Sequence, residues 1–457
     1  MASSDRMSAS EVRASVGLSA IFGLRMLGMF AILPVFALYA EHLPGGNDLT
    51  LVGIAIGAYG LTQALLQIPF GTWSDRYGRR PVIYTGLAIF AAGSFIAAFG
   101  HHIYVVIAGR ILQGAGAISA AVMALAADLT RDEHRTKTMA MIGSTVGAAF
   151  ALSLVAGPAL DRAIGVPGIF VLTGVLAIAA MGVVYAVVPA GDAASRDERR
   201  SDAAYFGAVL RDPQLLRLNY GILALHAALM ALFIAIPFAL REAGLAVAHH
   251  WQVYLASVLG SFALMVPPLL RAKQASQVRA LFMTSVALLL GAHIALPWLT
   301  DGVGGIAVFL LLFFTPFNIL EACLPSLVSR IAPPQAKGMA IGVFSSVQFF
   351  GIFLGAAAGG ALYARWGIAG IVIFNAALIV IWLIVATGMK VPATLGTRVY
   401  TLSEPAARRA DALASRLRAL SGVHEARVVA GEGRAYLKVD SAGFDEENVA
   451  KLIAGEF

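Results

Sequence analysis

The sequence of residues 71–80 is Gly71-Thr72-Trp73-Ser74-Asp75-Arg76-Tyr77-Gly78-Arg79-Arg80, a short polar stretch between two apolar segments. These segments cover 51–73 and 81–100, and each provides the roughly 20 residues that a helix needs to cross a bilayer. The stretch between them is rich in arginine, which favours the cytoplasmic side of a membrane. We therefore predict two membrane-spanning helices joined by a cytoplasmic loop.

The composition of the whole chain indicates a membrane protein. Of the 457 residues, 59% are hydrophobic and 13% are charged, whereas about 25% are charged in a typical soluble domain. The apolar residues are enough for roughly twelve spans and a small soluble domain. This balance excludes a disordered chain and a nucleic-acid-binding protein, and the net charge of +7 is expected in cytoplasmic loops. The single cysteine, Cys323, excludes disulfides and a multi-thiolate metal site.

Twelve hydrophobic segments are found before residue 390. They cover 15–41, 51–73, 81–100, 103–128, 137–160, 167–189, 215–242, 251–270, 278–298, 304–329, 338–363 and 368–389. With the N-terminus placed in the cytoplasm, the basic loop residues gather on that side, and only Arg162, Arg241 and Arg365 fall on the opposite side. Because basic residues favour cytoplasmic loops, this bias predicts a multi-pass membrane protein with both termini in the cytoplasm.

The twelve segments form two sets of six. The polar stretch 190–214 lies between them and is predicted to be a cytoplasmic linker, so residues 1–189 form an N-terminal six-helix bundle and residues 215–389 a C-terminal one. A weak repeat supports this division, because Lys137-Thr138-Met139-Ala140 opens the fifth segment and Lys337-Gly338-Met339-Ala340 opens the eleventh. Parallel repeats of six helices are a known architecture of transporters.

After Lys390 the composition changes to that of a water-soluble domain, predicted over residues 396–457. Its pattern indicates a small α+β domain of ferredoxin-like type, with the element order βαββα. The predicted strands are 399–402, 423–429 and 435–439, one helix begins near Ser403, and the other is capped by Asp445. The whole chain is therefore predicted to be an all-α membrane protein with this domain appended on the cytoplasmic side.

The spacing within residues 71–80 resembles the loop signature G-x-x-x-D-R-x-G-R-[RK] of the major facilitator superfamily. The resemblance implies two six-helix bundles. In that family the equivalents of Asp75 and Arg79 join an acid of the fourth span, here Asp128, and latch the bundles shut on the cytoplasmic side. The implied latch residues are Gly71, Asp75, Arg76, Gly78, Arg79, Arg80 and Asp128. The alternative, a loop that only sets topology, explains the arginines but neither glycine nor the paired acids.

Two further stretches resemble motifs of proton-linked exporters in the same superfamily. Arg110-Ile111-Leu112-Gln113-Gly114-Ala115-Gly116 resembles the R-x-x-Q-G-x-G motif, and Gly157-Pro158 resembles the core of the antiporter motif. The glycine pair expected after that core is replaced by Asp161-Arg162. The resemblance implies proton-driven export, while the alternative is that these small residues only allow helices to pack closely.

Charged residues inside the predicted spans are candidates for the proton and substrate sites, since a charge in the bilayer is costly. They are Arg25, Arg110, His226 and Glu321. Glu321 is the predicted proton carrier, because a carboxyl group in a partly apolar cavity favours its neutral form, and Arg25 is predicted to lie across the cavity from it. His226 has two open interpretations, a proton site and a histidine hydrogen-bonded between helices. Interhelical hydrogen bonds are predicted for the amides Asn219, Asn318, Gln348 and Asn375.

The stretches Ser421-Gly422-Val423-His424-Glu425-Ala426 and Ala435-Tyr436-Leu437-Lys438-Val439-Asp440 resemble the additional cytoplasmic domain of YajR-type bacterial transporters. The fold of that domain is similar to heavy-metal-binding domains. Such metal domains use paired cysteines, which are missing here, so no metal site is predicted. A regulatory or oligomerising role and an inert appendage are both open.

Together these features predict a secondary active transporter of the bacterial inner membrane that exports a small molecule in exchange for protons. Its predicted partners are the substrate, protons and membrane lipid, with no cofactor and no nucleic acid. The sequence contains no G-x-x-x-x-G-K-[ST] loop for ATP and no protease or nucleophile motif in its spans, so we predict neither ATP-driven pumping nor an enzyme. The alternatives are a proton symporter for uptake and a membrane-bound ligand sensor that reports through the C-terminal domain.

Overall fold

The computed structural model describes residues 7–189, 202–272, 274–333, 336–391, 395–402, 410–429, 433–440 and 444–454. The chain divides into two compact units. One consists of Met1–Met265 and Met283–Met389, and the other of Val266–Phe282 and Lys390–Phe457. Part of the predicted linker, residues 190–201, lies outside the described residues.

Thirteen helices lie before residue 390 in the described ranges, together with a 3-10 turn at Val247–His249. They are α1 (Ala9–Ala31), α2 (Leu33–Ala40), α3 (Leu49–Tyr77), α4 (Arg79–Ala98), α5 (Ile103–Ala115), α6 (Ser119–Asp128), α7 (Asp132–Ala186), α8 (Asp202–Arg211), α9 (Pro213–Glu242), α10 (His250–Arg271), α11 (Ala275–Leu299), α12 (Val303–Ile331) and α13 (Lys337–Thr387). Several begin at capping residues, whose side-chain oxygens accept hydrogen bonds from the free N–H groups of the first turn. Asp48 caps α3, Asp212 caps α9, and Ser8 forms a capping box with Glu11 at α1.

Ten helices of the described chain, three of them built from consecutive elements, are long and apolar enough to cross a membrane. The longest, Lys137–Ala186 and Lys337–Thr387, have 50 and 51 residues, about 75 Å at 1.5 Å per residue and more than twice the thickness of a bilayer core. Each contains one non-helical residue, Gly165 with φ of 67° or Gly367 with φ of 57°, a conformation that suits glycine. Each interruption lies between two of the predicted segments, and the count of twelve spans stays a prediction.

Two predicted segments are each divided into two helices. The segment 15–41 forms α1 and α2, because Pro34 in the first turn of α2 has no N–H to continue the hydrogen bonds of α1. The segment 103–128 forms α5 and α6, separated by Gly116-Ala117-Ile118. At this second break Gly116 packs directly on Gly86 of α4, with no room for a side chain between them. Continuous helices were expected at both places.

The first compact unit is called the membrane unit below, and four names describe its parts, without Val266–Phe282. Residues 1–189 are the first half, residues 215–389 the second half, the end of the helices near residues 71–80 is the motif end, and the opposite end is the distal end.

The two halves pack together through α3 and α13. A methyl group on Gly60 of α3 would lie 2.6 Å from the carbonyl oxygen of Phe349, and one on Gly57 would lie 3.0 Å from that of Phe353. One turn earlier, Gly53 lies against Ala356, again without space for a side chain. Small residues allow the two helices to approach this closely. Since α3 runs from the distal end to the motif end, this contact lies in the distal part of the bundle.

Toward the motif end, a glycine on each of α7 and α13 has open space around it. Gly342 lies seven residues before Phe349 on α13, and Gly147 lies three residues before Phe150 on α7. The Phe150 ring contacts the second half at Phe314, with ring centres 6.3 Å apart. Residues three or seven apart share a helix face. Among the described residues, nothing outside the local helix lies within 4 Å of a Cβ built on Gly147 or Gly342, so neither position packs closely against the other half.

Besides Val266–Phe282, which covers the end of α10 and the beginning of α11, the second unit contains five described elements. They are β1 (Leu395–Thr401), α14 (Ala410–Arg418), β2 (Val423–Val429), β3 (Arg434–Asp440) and α15 (Glu446–Ala454). The sheet order is β1-β3-β2 with both pairings antiparallel, and Leu417, Leu437 and Val449 are buried in its core. This order of described elements is the predicted βαββα order, although β1 begins four residues before the predicted strand. Asp445 caps α15 as predicted, whereas the helix start at Ser403 lies outside the described residues.

Candidate functional site

Residues 71–80 form the connection from α3 to α4. The chain turns at Gly78, whose φ of 98° would strain any other residue. The next residue, Arg79, contacts both candidate acids: Nη1 lies 2.5 Å from Oδ1 of Asp75, and Nε lies 3.1 Å from Oδ2 of Asp128. The structure thus brings these three residues together and joins α3, α4 and α6 at the motif end.

The other members of the sequence motif support this connection. Gly71 faces α6, where a methyl group would meet a side chain at 3.3 Å. Arg80 donates a hydrogen bond to the backbone carbonyl of Val188, and the guanidinium of Arg76 lies 5.5 Å from the ring centre of the neighbouring tyrosine. These contacts, like the two ion pairs of Arg79, lie within the first half. A role as a latch between the two halves stays a prediction.

A second ion pair near the motif end was not predicted from the sequence. The carboxylate of Glu11 is buried and accepts hydrogen bonds from the backbone N–H, Nε and Nη2 of Arg131, at 2.9 to 3.0 Å. One turn later, the hydroxyls of Ser15 and Thr138 lie 2.8 Å apart. The spacing of Ser8 and Glu11 in the sequence is typical of a capping box and could have indicated where α1 begins. It could not show that the same acid also reaches an arginine 120 residues away.

Arg25 lies in the interior of the first half. Its side chain is 0% exposed. Nη2 donates to Oε1 of Gln63 at 2.7 Å and to the carbonyl of Gly116 at 2.9 Å, and Nη1 donates to Oγ of Ser119 at 3.3 Å. The structure does not bring Arg25 to Glu321, whose contacts lie in the second half. This corrects the prediction that Arg25 faces Glu321 across a cavity.

Arg110 is also buried in the first half. Its Nε and Nη2 donate to the backbone carbonyls of Ala55 and Ile56 in α3, at 3.2 and 3.1 Å, and its Nη1 donates to Oε1 of Gln113 at 2.8 Å. The guanidinium lies 5.2 Å from the ring centre of Tyr59. The R-x-x-Q motif therefore joins α5 to α3, and Arg110 is held by neutral groups among the described residues.

Gly157 packs α7 against the interruption between α1 and α2. A methyl group on it would lie 2.8 Å from Cγ of Pro34, and the carbonyl of Ala31 is closer still. Pro158 follows within the helix. This geometry favours the interpretation of the motif as a site of close helix packing.

Three polar residues of the second half meet in what we call the His226 cluster, formed by His226 of α9, Glu321 of α12 and Gln348 of α13. Nε2 of Gln348 lies 2.9 Å from Nε2 of His226 and 3.3 Å from Oε1 of Glu321, and Nε2 of His226 lies 3.9 Å from Oε2 of Glu321. Because the amide donates, His226 carries its proton on Nδ1, which faces the carbonyl of Ile222 at 3.3 Å. The cluster joins three helices.

The remaining amides also occupy the helical interior. Asn318 donates to Oγ of Ser261 at 3.0 Å and Asn375 donates to the carbonyl of Ala228 at 3.3 Å, both between helices as predicted. Asn219 is buried in α9. Among the described residues, no three His, Cys, Asp or Glu side chains are grouped so that they could hold a metal ion.

The distal end carries an ion pair between the two halves. Arg241, at the end of α9, directs Nη1 and Nη2 to Oε2 and Oε1 of Glu41, at 2.5 and 3.1 Å. Glu41 directly follows α2. In the sequence, Arg241 was visible only as one of few basic residues on the predicted outer side. No local pattern shows that its partner lies 200 residues away.

Comparisons with known proteins identify a family and several relatives. The family model described as the Major Facilitator Superfamily matches residues 18–356. The chain is 42% identical over 438 residues to the inner membrane transport protein YajR of Escherichia coli (strain K12), covering 95% of this chain and 96% of that protein. Over 144 residues it is 33% identical to a class D tetracycline resistance protein of Salmonella ordonez, which covers 31% of this chain and 36% of that protein.

A solved structure is similar in fold. It is the crystal structure of a bacterial homologue of the human lysosomal transporter Spinster in an inward-facing and occupied conformation. The TM-score is 0.64 at 15% sequence identity, and the match covers 84% of this chain and 96% of that chain. At this identity the likeness shows the fold alone.

Proposed function

Because the chain belongs to the Major Facilitator Superfamily of membrane transporters, we propose that it is a secondary active exporter that moves a small molecule out of the cell in exchange for protons. The proposal includes twelve spans in two six-helix bundles, a bacterial inner membrane, and both termini in the cytoplasm. The motif end is then the cytoplasmic end. The observation that carries the proton coupling is the His226 cluster.

Glu321 is the acid that binds and releases the proton. A carboxylate within a helical bundle needs hydrogen bonds or a charged partner, because otherwise the neutral form is favoured. Gln348 supplies one such hydrogen bond, from its Nε2 to Oε1 at 3.3 Å, and 37% of the Glu321 side chain is still exposed to exchange a proton. A rearrangement that separates Gln348 from Glu321 removes this hydrogen bond. Rearrangement of the cluster therefore changes how readily Glu321 holds a proton.

Gln348 connects this cluster to the contact between the two halves. The next residue, Phe349, packs against Gly60, and its ring centre lies 6.0 Å from that of Tyr59, both in α3 of the first half. Because neighbouring residues of one helix move together, a shift of Gln348 also shifts Phe349. Protonation of Glu321 is thereby linked to the packing of the halves, as proton-driven alternating access requires.

The direction of transport is supported by likeness. The stretch from Arg110 to Gly116 resembles a motif of proton-linked exporters, and the relative from Salmonella ordonez is named for tetracycline resistance. The antiporter motif is incomplete, because Asp161-Arg162 replaces its glycine pair. Export and uptake differ in the direction of the substrate relative to the proton, so a flux measurement decides between them.

The domain after Lys390 is proposed to be a cytoplasmic domain of ferredoxin-like fold over residues 396–457. The βαββα order and the buried core around Leu437 support this assignment. Its role is proposed to be regulatory. A domain with its own core can change its conformation or its partners while the helices of the two bundles keep their packing.

The test uses the purified protein in proteoliposomes with an imposed pH gradient and a panel of hydrophobic cations and sugars. Proton flux opposite to substrate flux supports the proposal. Glu321→Gln should retain substrate exchange without a gradient and lose accumulation driven by the gradient. The matched control is Asp301→Asn, which changes an exposed acid in the connection from α11 to α12 and should leave accumulation intact.

Other outcomes assign other functions. Proton and substrate moving in the same direction would show a symporter, and substrate binding without any flux would indicate a ligand sensor. If Glu321→Gln keeps normal accumulation, Glu321 is structural, and His226 becomes the proton site to be tested with His226→Gln.

A further inference from the structure

The fourth predicted span is interrupted near its middle. α5 ends at Ala115 and α6 begins at Ser119, and Gly116 at the break has a ψ of 52°, outside the helical range. A break of this kind frees backbone carbonyls from the hydrogen bonds of the helix. Inside a membrane, such groups need partners from elsewhere in the protein.

Arg25 of α1 supplies one such partner. One guanidinium nitrogen, Nη2, donates to the carbonyl of Gly116, which also accepts from the N–H of Ile118 at 2.9 Å. Nη1 donates to the hydroxyl of Ser119, so a single side chain contacts both sides of the break. Gln63 of α3 contacts both Arg25 and Ser119, since its Oε1 accepts from Nη2 of Arg25 at 2.7 Å and its Nε2 donates to Oγ of Ser119 at 3.4 Å. The break is thereby fixed to α1 and α3.

The surroundings of Arg25 favour a cation that remains in place. Gly116 follows the C-terminal end of α5, where the helix dipole stabilises positive charge. The guanidinium also lies 5.1 Å from the ring centre of Phe90 and 5.8 Å from that of Tyr59, within the range of cation–π interactions. Complete burial of the side chain separates it from any ligand in a cavity. The geometry therefore supports a structural role for Arg25, in which it acts by holding neighbouring residues in place.

The helix that begins at the break ends at the latch. α6 runs for ten residues from Ser119 to Asp128, so its two ends move together as one rigid element. Asp128 contacts Arg79 at the start of α4, and the break packs on Gly86 of the same helix. We propose that Arg25 is a positioning residue that holds the break in the fourth span and thereby places Asp128 beside Arg79. This inference goes beyond the proposed function and does not depend on the substrate or on proton coupling.

The first half offers a matched control. Arg110 is an equally buried arginine near the same ring of Tyr59, but its hydrogen bonds go to Ala55, Ile56 and Gln113. These partners belong to α3 and α5, and none of them belongs to the break or to α6. Loss of the hydrogen bonds of the Arg110 guanidinium should therefore disturb α5 and α3 and leave α6 in place.

The experiment measures hydrogen–deuterium exchange by mass spectrometry on the purified full-length protein. Arg25→Lys keeps the charge but cannot contact both sides of the break, so amides of residues 119–128 should exchange roughly tenfold faster. Arg110→Lys should change exchange in residues 103–115 and leave 119–128 within about twofold of the original protein. A second readout is a double-mutant cycle of Arg25→Lys with Asp128→Asn. The effect of Asp128→Asn on exchange in α4 should be smaller in the Arg25→Lys variant than in the original protein.

Ser119→Ala keeps the test decisive if Arg25→Lys does not fold. It removes one hydroxyl of the network without changing charge, and it should raise exchange in the same residues by a smaller factor. Unchanged exchange in 119–128 would overturn the proposal. So would a uniform increase over all helices of the first half, or equal effects of Arg25→Lys and Arg110→Lys on α6.

Discussion

Arg241 of α9 and Glu41 after α2 join the two halves of the membrane unit by a bidentate ion pair at the distal end. Beside it, the Phe238 ring stacks on Tyr363 of α13 with ring centres 5.7 Å apart, and the Arg241 guanidinium lies 5.2 Å from the Phe238 ring. The contacts of Arg79 lie at the opposite end of the helices. Opening of the distal end during alternating access requires the pair to separate.

Neutralising this pair should increase the population that is open at the distal end. The two side chains are 44% and 33% exposed, so the pair contributes at most about 1 kcal/mol. Glu41→Gln or Arg241→Gln should therefore shift the population by up to roughly fivefold, and the shift should shrink in high salt. Distances between spin labels on the distal ends of the two halves measure it.

The exchanged pair provides the control for this prediction. Glu41→Arg combined with Arg241→Glu should restore the original distance distribution, while either reversal alone should widen it. Arg162→Gln, which changes an exposed arginine of the predicted outer side, should have no effect. If the exchanged pair behaves like the single reversals, the two residues do not act through their charges.

The latch residues should behave as one unit. Asp75→Asn and Asp128→Asn each remove one acid that contacts Arg79, and each should lower transport while membrane insertion is unchanged. The double variant should lose little more than either single variant, because groups in one network are not additive. Transport rates at equal protein density in the membrane test this, and additive losses would contradict a shared network.

Close packing at Gly53 should control the distal contact between α3 and α13. A methyl group there would overlap the carbonyl oxygen of Ala356, and overpacking typically costs about 1–3 kcal/mol. Gly53→Ala should therefore favour separation of the two helices, seen as reduced cross-linking between cysteines placed in them. Gly182→Ala, at an exposed helical position with open space around it, is the matched control and should leave cross-linking unchanged.

The domain after Lys390 should fold without the membrane helices. Its core residues Leu417 and Leu437 are 0% exposed, and β1 begins at Leu395, so a fragment of residues 390–457 contains all of its described strands and helices. We expect a cooperative unfolding transition by circular dichroism. Leu437→Ala should lower the free energy of unfolding by about 2–5 kcal/mol, whereas an unfolded fragment would show that the domain needs the rest of the chain.

The two clusters of the membrane unit were not equally predictable. Asp75 and Arg79 lie four residues apart, and the resemblance of their motif suggested Asp128 as a partner, so their contact was expected. Gln348 was expected only to join helices, and nothing in the sequence placed it between His226 and Glu321. A hydrogen bond between three helices depends on how those helices pack, and hydropathy does not describe that packing.

The sequence by itself determined the features that depend on short stretches of chain. Apolar segments of about 20 residues predict helices in a membrane because the bilayer thickness sets that length, and alternating apolar residues predicted the strands 423–429 and 435–439. Tertiary structure alone decided the contacts of Arg25. An arginine within a predicted span is equally suited to a cavity and to a helix break. The difference is made by the interruption at Gly116, whose carbonyl accepts from the guanidinium as well as from the N–H of Ile118. The partner of a buried charge is chosen by the polar groups that folding leaves within its reach, and these come from distant parts of the chain.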